Sequence, residues 1–252
     1  MHLRLVRGLV LAPLLALALS PARADFFDFL KPKATSSPPA AVSLTSLSQE
    51  QLVQGLKEAL AKGVQHSITN LGRDGGYLSN LNVRIPMPEK LTAVERTLRT
   101  LKQDQLADEF IATMNRAAEA AVPEAGAIFS DAIKGMTLED AKALLHGPDD
   151  AATQYFKKTG EARLQEKMLP VIKHTTEQAG VTASYKKVMD KAAPATGFFK
   201  LKTADIDLDR YVTQKASDGL FKMIAEEEKR IRQNPAARTT ELLQKVFGNP
   251  KP

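Results

Sequence analysis

The sequence predicts an all-α fold, and three observations carry this prediction. Apolar residues recur at helical spacing from residue 48 onward. Helix-initiating capping boxes precede two of these windows, whereas alternating β-branched runs and hairpin turns are missing from the sequence. The 252 residues include no cysteine, so burial of apolar helix faces must stabilise the fold without disulfides. We expect one compact domain of about nine or ten helices over residues 47–248.

The first 24 residues predict a signal peptide. Arg4 and Arg7 precede an apolar run at residues 9–19, and Ala22-Arg23-Ala24 is a small-x-small cleavage site. The apolar run is too short for a membrane-spanning helix, which needs about 20 residues. We therefore expect cleavage after Ala24 and a mature periplasmic protein without a transmembrane helix. It should not be a lipoprotein, because no cysteine is available to carry the lipid.

Residues 25–46 are rich in Pro, Ser and Ala and lack helical periodicity, which predicts a flexible tether. Its apolar start, with Phe26, Phe27, Phe29 and Leu30, could dock on the domain, rest on a membrane or be disordered. Residues 249–252 are expected to form a disordered tail.

The composition argues against binding of nucleic acid. The net charge of +6 includes Arg4, Arg7 and Arg23, so losing these three with the signal peptide leaves +3. Acidic and basic residues are interspersed, and the chain has no tryptophan and only four tyrosines to stack on bases. No histidine or carboxylate spacing matches a metal site, and no nucleotide-binding motif occurs, so we expect neither metal nor cofactor.

The first predicted helix begins at Ser48, which forms a capping box with Gln51. Small residues follow every fourth position, which would let another backbone approach closely and predicts a buried central helix: Gly55, Ala59, Gly63 and Ser67. Residues 72–87 contain three glycines, and Pro86 and Pro88 flank the last residue of this range. The stretch therefore predicts a structured loop or an edge segment.

Further helices are expected from Pro88 to Leu101, from about Asp104, and after a kink or fresh start at Pro123. Thr137 and Asp140 form a second capping box. The later helices are expected at residues 161–179 with a kink at Pro170, at 182–191, at 207–233 as the longest, and at 236–247. The helix at residues 207–233 should carry exposed ion pairs between Glu226 and Arg230 and between Glu228 and Arg232.

The stretch HGPDDAATQYF, residues 146–156, has two interpretations. As a helix junction, His146 lies in the last turn of one helix and Gly147 adopts the left-handed conformation that ends it. The following proline prevents continuation, and Asp149 or Asp150 caps the next helix. As an active site, the two carboxylates would serve as acid and base of an envelope hydrolase with His146 or Arg116. Tyr155 is expected in the core.

Polar residues inside apolar helical windows form a second set of candidates. Arg116 and Glu119 lie three positions apart and would contact each other across one helical turn. The pair is either structural or, with Arg84 and Arg238, part of a site for an anionic group. The candidate ligand or partner cluster therefore comprises Arg84, Arg116, Glu119, Asp149, Asp150, Tyr155 and Arg238.

Four stretches together resemble one known family: NVRIPMPEKL, MNRAAEAAVPEA, GPDDAATQYF and NPAARTTELLQKVFG. The chain is similar to the secreted bacterial proteins catalogued as domain of unknown function 4197, over almost the whole predicted domain. The resemblance implies an exported helical protein of a Gram-negative envelope. It implies no activity, cofactor or catalytic residue.

The sequence favours a non-enzymatic periplasmic protein that binds an envelope protein, a lipid or an anionic ligand. The alternative is the envelope hydrolase that uses Asp149 and Asp150 with Arg116 or His146. The two hypotheses predict different geometry, since only an enzyme requires these residues to converge in one concave pocket.

Overall fold

A computed structural model describes residues 48–178, 186–191 and 207–234. The helices are α1 (Gln49–Leu71), α2 (Thr92–Thr100), α3 (Asp104–Ala121), α4 (Ala125–Lys134), α5 (Leu138–His146), α6 (Ala151–Gln178) and α7 (Leu208–Gln233). Two 3₁₀ turns, Glu89–Leu91 and Val122–Glu124, precede α2 and α4. The all-α prediction is confirmed, since no strand occurs among the described residues.

The described part of the chain contains seven α-helices and a short helical stretch at residues 186–191, fewer than the nine or ten expected. One reason is that residues 151–178 form a single helix of 28 residues instead of separate segments. It is longer than α7, so α7 is not the longest helix as predicted. The predicted signal peptide, tether, last helix and tail lie outside the described residues.

Helix α6 continues through Pro170, which deprives the helix of one backbone hydrogen bond. The helix carries Leu164, Met168 and Ile172, four residues apart and fully buried on both sides of the proline. Burial of these side chains compensates for the missing bond, because each contributes about 1.5–3 kcal/mol relative to exposure.

The core lies between α6, which packs against α3, α4 and α7, and α1, which packs against α4 and α7. Phe129 of α4 packs against Phe156 of α6 at 5.0 Å and against Phe221 of α7 at 5.8 Å between ring centroids. Helix α1 is buried along its small-residue stripe, as predicted, and Gly63 faces the side chains of Glu227 and Ile231 in α7. Both predicted capping boxes, Ser48 with Gln51 and Thr137 with Asp140, are present.

Candidate functional site

The loop at residues 72–88 connects α1 to the turn before α2, and a buried glutamate holds it in place. Glu119 of α3 is 4% exposed, and its Oε1 accepts hydrogen bonds from the backbone N–H groups of Tyr77 at 2.9 Å and Leu78 at 3.1 Å. Glu119 therefore binds the loop and does not pair with Arg116, contrary to prediction. Arg116 is exposed and donates instead to the carbonyl oxygen of Ala112.

Two more buried side chains fix the same loop. The carboxamide of Asn115 accepts from the N–H of Ile85 and donates to its carbonyl oxygen, both at 2.8 Å. The hydroxyl of Tyr77 donates to the carbonyl oxygen of Ala216 in α7 at 2.6 Å. Burial, with the nearby charges of Glu119 and Asp218, raises the pKa of Tyr77 far above its usual value, so this phenol stays protonated.

The tyrosine ring requires a glycine beneath it. A Cβ at Gly219 would lie 2.7 Å from the Tyr77 ring, closer than packed atoms tolerate, and would make a tight contact of 3.2 Å with Val83. Loop residues Val83, Ile85 and Met87 are also buried. The loop is thus part of the core, which confirms the prediction of a structured loop.

The tip of the loop is different, because it exposes an apolar side chain. Leu81 is 87% exposed, the highest value among the large apolar residues described. The backbone on either side is fixed by the N–H of Asn82, which donates to the side chain of Asn80, and by the ammonium of Lys222, which donates to the carbonyl oxygen of Asn82. Arg84 is exposed two residues further along the loop. The tip therefore presents a leucine on a fixed backbone. Of these two exposed cationic residues, Lys222 contacts Asn82, and Arg84 is three positions after Leu81.

A second buried glutamate organises the junction between α5 and α6. The carboxylate of Glu228, from α7, accepts from the N–H groups of Ala152 at 2.9 Å and Thr153 at 3.0 Å, and from the Thr153 hydroxyl. These N–H groups lie in the first turn of α6, where they have no partner within the helix. Glu228 therefore caps α6 from another helix.

The same glutamate forms an ion pair with Arg232, one turn further along α7, at 2.9 Å. Arg232 also donates to the carbonyl oxygen of Leu144, near the end of α5. Both side chains are less than a tenth exposed, so the predicted pair exists but is not on the surface. The other predicted pair is wrong, because Arg230 contacts Glu227 rather than Glu226.

The stretch HGPDDAATQYF is thus a helix junction, but it works differently from the prediction. Gly147 has φ −75° and ψ 179°, an extended conformation and not a left-handed one. Asp149 and Asp150 are exposed, and their side chains accept from Gln233 and Gln154 and not from the helix N-terminus. Glu228 occupies the N–H groups that a local aspartate would have bound.

The remaining candidate residues do not assemble into one site. Tyr155 is half-buried and donates to the carbonyl oxygen of Ala132, and burial with the charge of Asp140 raises the pKa of its phenol. His146 is exposed and contacts the carbonyl oxygen of Lys142. Arg238 lies outside the described residues. Among the described candidates, no hydrogen bond or ion pair joins one to another.

Sequence reasoning missed Asn115, the burial of Glu228 and its cap on α6, and Leu81; for Glu228 it predicted only the pair with Arg232. The first two carried a signal, because both lie on apolar helix faces: Asn115 is four residues after Ile111, and Glu228 is four residues after Ile224. A polar residue at such a position must find a partner inside the protein. Leu81 carried no such signal, since exposure of a loop residue depends on the tertiary structure.

An apolar pocket opens between α1, α6 and α7 and holds about 390 Å³ of space including its mouth. Its walls are Leu56, Leu60 and Val64 of α1, Phe156 of α6, and Ile224 and Ile231 of α7, and Glu228 and Arg232 border it. In the described part of the chain no group of three or more histidine, aspartate or glutamate residues is placed to hold a metal ion. The described helices also include none with the length and apolar character that crossing a membrane requires.

The described residues define an all-α protein in which two buried glutamates connect distant backbone segments around a fixed loop and an apolar pocket. The chain matches the model of a protein family of unknown function, DUF4197, over residues 46–248, and it belongs to that family. Neither a curated protein nor a solved structure matches it.

Proposed function

We propose that the protein is an exported, periplasmic and non-enzymatic interaction protein that binds a partner in the cell envelope through the loop at residues 72–88. The observation that carries the proposal is Leu81, which is 87% exposed at the tip of a loop that buried side chains hold in place. A single exposed leucine is common on protein surfaces. Folding does not require an exposed leucine on this fixed backbone, since Tyr77, Val83, Ile85 and Met87 already supply buried apolar contacts to the loop.

Rigidity supports a binding role for physical reasons. Ordering a flexible loop on binding costs free energy, and a loop that is already fixed avoids that cost. Three buried polar side chains, those of Glu119, Asn115 and Tyr77, fix this loop. Connecting segments longer than about 12–15 residues without secondary structure are usually either functional or disordered, and buried side chains hold this one in place.

The charges near Leu81 indicate the kind of partner. Arg84 and Lys222 are both exposed, and the single acidic residue of the loop, Asp74, lies seven positions before Leu81. An apolar contact flanked by cations is complementary to a protein surface with an apolar depression bordered by carboxylates. We therefore expect an acidic envelope protein as the partner.

The hydrolase alternative receives no support from the geometry. Asp149 and Asp150 are exposed and engaged by glutamine side chains, and neither contacts His146 or Arg116. An acid and base pair needs both groups within reach of one reacting atom. No observation favours placing a substrate between them.

The proposal is tested by photocrosslinking in intact cells. A photoreactive amino acid at Leu81 should yield a crosslinked partner, whereas the same residue at Leu101, the other exposed large apolar side chain described, should not. Replacing Arg84 and Lys222 with glutamate should remove the adduct at Leu81. Equal adducts at both positions, or none at Leu81, would contradict the proposal.

Export is tested separately by fractionation and N-terminal sequencing. The mature protein should be released with the periplasmic fraction and begin at Asp25, because the sequence predicts cleavage after Ala24. A full-length protein retained in the cytoplasm would contradict both export and the expectation of an envelope partner.

A further inference from the structure

Helix α7 holds the tip of the loop through two adjacent residues. The ammonium of Lys222 donates to the carbonyl oxygen of Asn82 at 2.9 Å, and the thioether sulfur of Met223 accepts a hydrogen bond from the Asn80 carboxamide at 3.6 Å. Leu81 lies between the two asparagines in the sequence. A chemical change at either residue of α7 therefore acts directly on the backbone that presents Leu81.

The hydrogen bonds of the tip converge on Asn80. Its side-chain oxygen accepts from the N–H of Asn82 at 3.0 Å, and its carbonyl oxygen accepts from the N–H groups of Val83 at 3.1 Å and Arg84 at 2.8 Å. The oxygen and nitrogen of one carboxamide move together, because the group is planar. The contact between this nitrogen and the Met223 sulfur therefore helps to fix the turn that follows Asn80.

Met223 is also one of the two most exposed methionines among the described residues. Met223 and Met189 are half-buried, whereas the other described methionines are each 5% exposed or less: Met87, Met114, Met136 and Met168. The chain has no cysteine, so methionine provides all of its oxidisable sulfur. Exposure favours oxidation at the two half-buried positions, and Met223 is hydrogen-bonded to the loop.

We propose that Met223 is an oxidation site and that its sulfoxide loosens the tip of the loop. The oxidant is a peroxide of the class that includes hydrogen peroxide. A lone pair of the Met223 sulfur attacks one peroxide oxygen, so an S–O bond forms as the O–O bond breaks. The transferred oxygen gives its proton to the leaving oxygen, which departs as water. The sulfur loses two electrons, and the peroxide gains them.

The added oxygen is incompatible with the present contact to Asn80. The Asn80 nitrogen and the Met223 sulfur already touch at 3.6 Å, so an oxygen atom fits between them only if the tip moves outward. If the oxygen points elsewhere, the oxidised sulfur has lost the electron density that accepted the hydrogen bond. Each arrangement breaks this hydrogen bond and releases the Asn80 side chain.

Oxidation at this position would regulate the surface reversibly. Methionine sulfoxide is reduced back to methionine by dedicated reductases, and the predicted export would bring the chain to an oxidising compartment. A loosened tip must be ordered again on binding, which costs free energy, so the oxidised protein should bind its acidic partner more weakly. This effect on binding rests on the proposed function, whereas the change in the loop does not.

Hydrogen exchange of the intact protein, measured before and after treatment with hydrogen peroxide, tests the proposal. Peptide mass mapping should find the added oxygen at Met223. The N–H groups of Val83 and Arg84 should then exchange about threefold faster or more, since the loss of one hydrogen bond has an effect of that order. Treatment with methionine sulfoxide reductases should restore the original rates.

Two matched variants separate Met223 from the other methionines. Met223→Leu keeps an apolar side chain of similar size without the sulfur, so peroxide should leave its loop exchange unchanged. Met189→Leu removes the other half-buried methionine and should respond to peroxide as the wild type does. The N–H groups of Ala152 and Thr153 should keep their rates in every sample, because Glu228 holds them independently of the loop.

The proposal is overturned if Met223 stays unoxidised under conditions that oxidise Met189. It is equally overturned if Met223 is oxidised and the exchange of Val83 and Arg84 is unchanged or slower. Acceleration of the same size in Met223→Leu would also overturn it, because the cause would then lie elsewhere in the chain.

The photoreactive residue at Leu81 measures the effect on binding. Peroxide should lower the yield of its adduct in the chain that retains Met223 and should not lower it in Met223→Leu. An equal yield with and without peroxide would overturn control of binding by Met223. If no adduct forms at Leu81 under either condition, the proposed function fails, and hydrogen exchange still decides whether Met223 is an oxidation site that loosens the loop.

Discussion

The loop at residues 72–88 and the junction between α5 and α6 are each held by a buried glutamate, but the two glutamates have different partners. In each, a buried glutamate accepts hydrogen bonds from two backbone N–H groups of a distant segment. Glu119 accepts from Tyr77 and Leu78, and Glu228 accepts from Ala152 and Thr153. Glu228 is also paired with Arg232 and lies at the positive end of a helix dipole, whereas Glu119 is hydrogen-bonded by loop backbone.

The difference indicates what each glutamate contributes. Glu228 connects three helices, because Arg232 extends the network to the carbonyl oxygen of Leu144 in α5. Glu119 connects one helix to one loop, and the loop exposes Leu81. The junction is therefore expected to contribute chiefly to stability, and the loop chiefly to presenting a surface.

The largest expected effect is that of Glu228→Ala. This substitution leaves the buried guanidinium of Arg232 without its carboxylate partner and removes the cap of α6. The free energy of unfolding should therefore fall by about 3–5 kcal/mol. Denaturant unfolding followed by circular dichroism measures it. Asp149→Ala and Asp150→Ala are the controls and should each change stability by less than about 0.5 kcal/mol. A large loss for either aspartate would restore local capping and break the comparison.

The next effect is that of Glu119→Ala, which should cost about 2–4 kcal/mol. The buried N–H group of Tyr77 loses its acceptor at roughly 1–3 kcal/mol, and the half-buried N–H group of Leu78 at roughly 1 kcal/mol. Glu119→Gln retains a carbonyl oxygen and should cost clearly less. The same unfolding measurement decides this, and proteolysis within residues 72–88 should accelerate in the alanine variant. A loss equal to that of Glu228→Ala would mean that the ion pair adds nothing to the junction.

The smallest effect concerns a carboxylate that caps its own helix. Hydrogen bonds from the backbone and hydroxyl of Thr137 lower the pKa of Asp140 below its usual 3.8. A pKa that is lower in the folded state stabilises the fold above the unfolded value, and this stabilisation disappears as the pH falls through the folded value. The stability difference between the wild type and Asp140→Asn should therefore shrink below about pH 4. A difference independent of pH would show that the charge of this cap is immaterial.

The sequence determined the features that depend on neighbouring residues. Helical period, both capping boxes, the small-residue stripe of α1 and the structured nature of the loop were all predictable, because each involves residues within about one helical turn or one loop. The all-α class and the family membership follow from the same local patterns.

Only the tertiary structure decided which polar groups meet. Glu228 lies 75 and 76 positions from the N–H groups that it accepts, and Glu119 lies 41 and 42 positions from its own. Local spacing paired Glu119 with Arg116 and assigned the cap of α6 to Asp149 or Asp150, since nothing within one turn of the chain records the approach of a distant helix. Burial favours the distant partners, because a buried N–H group needs a hydrogen-bond acceptor inside the protein, whereas an exposed aspartate can accept hydrogen bonds from water.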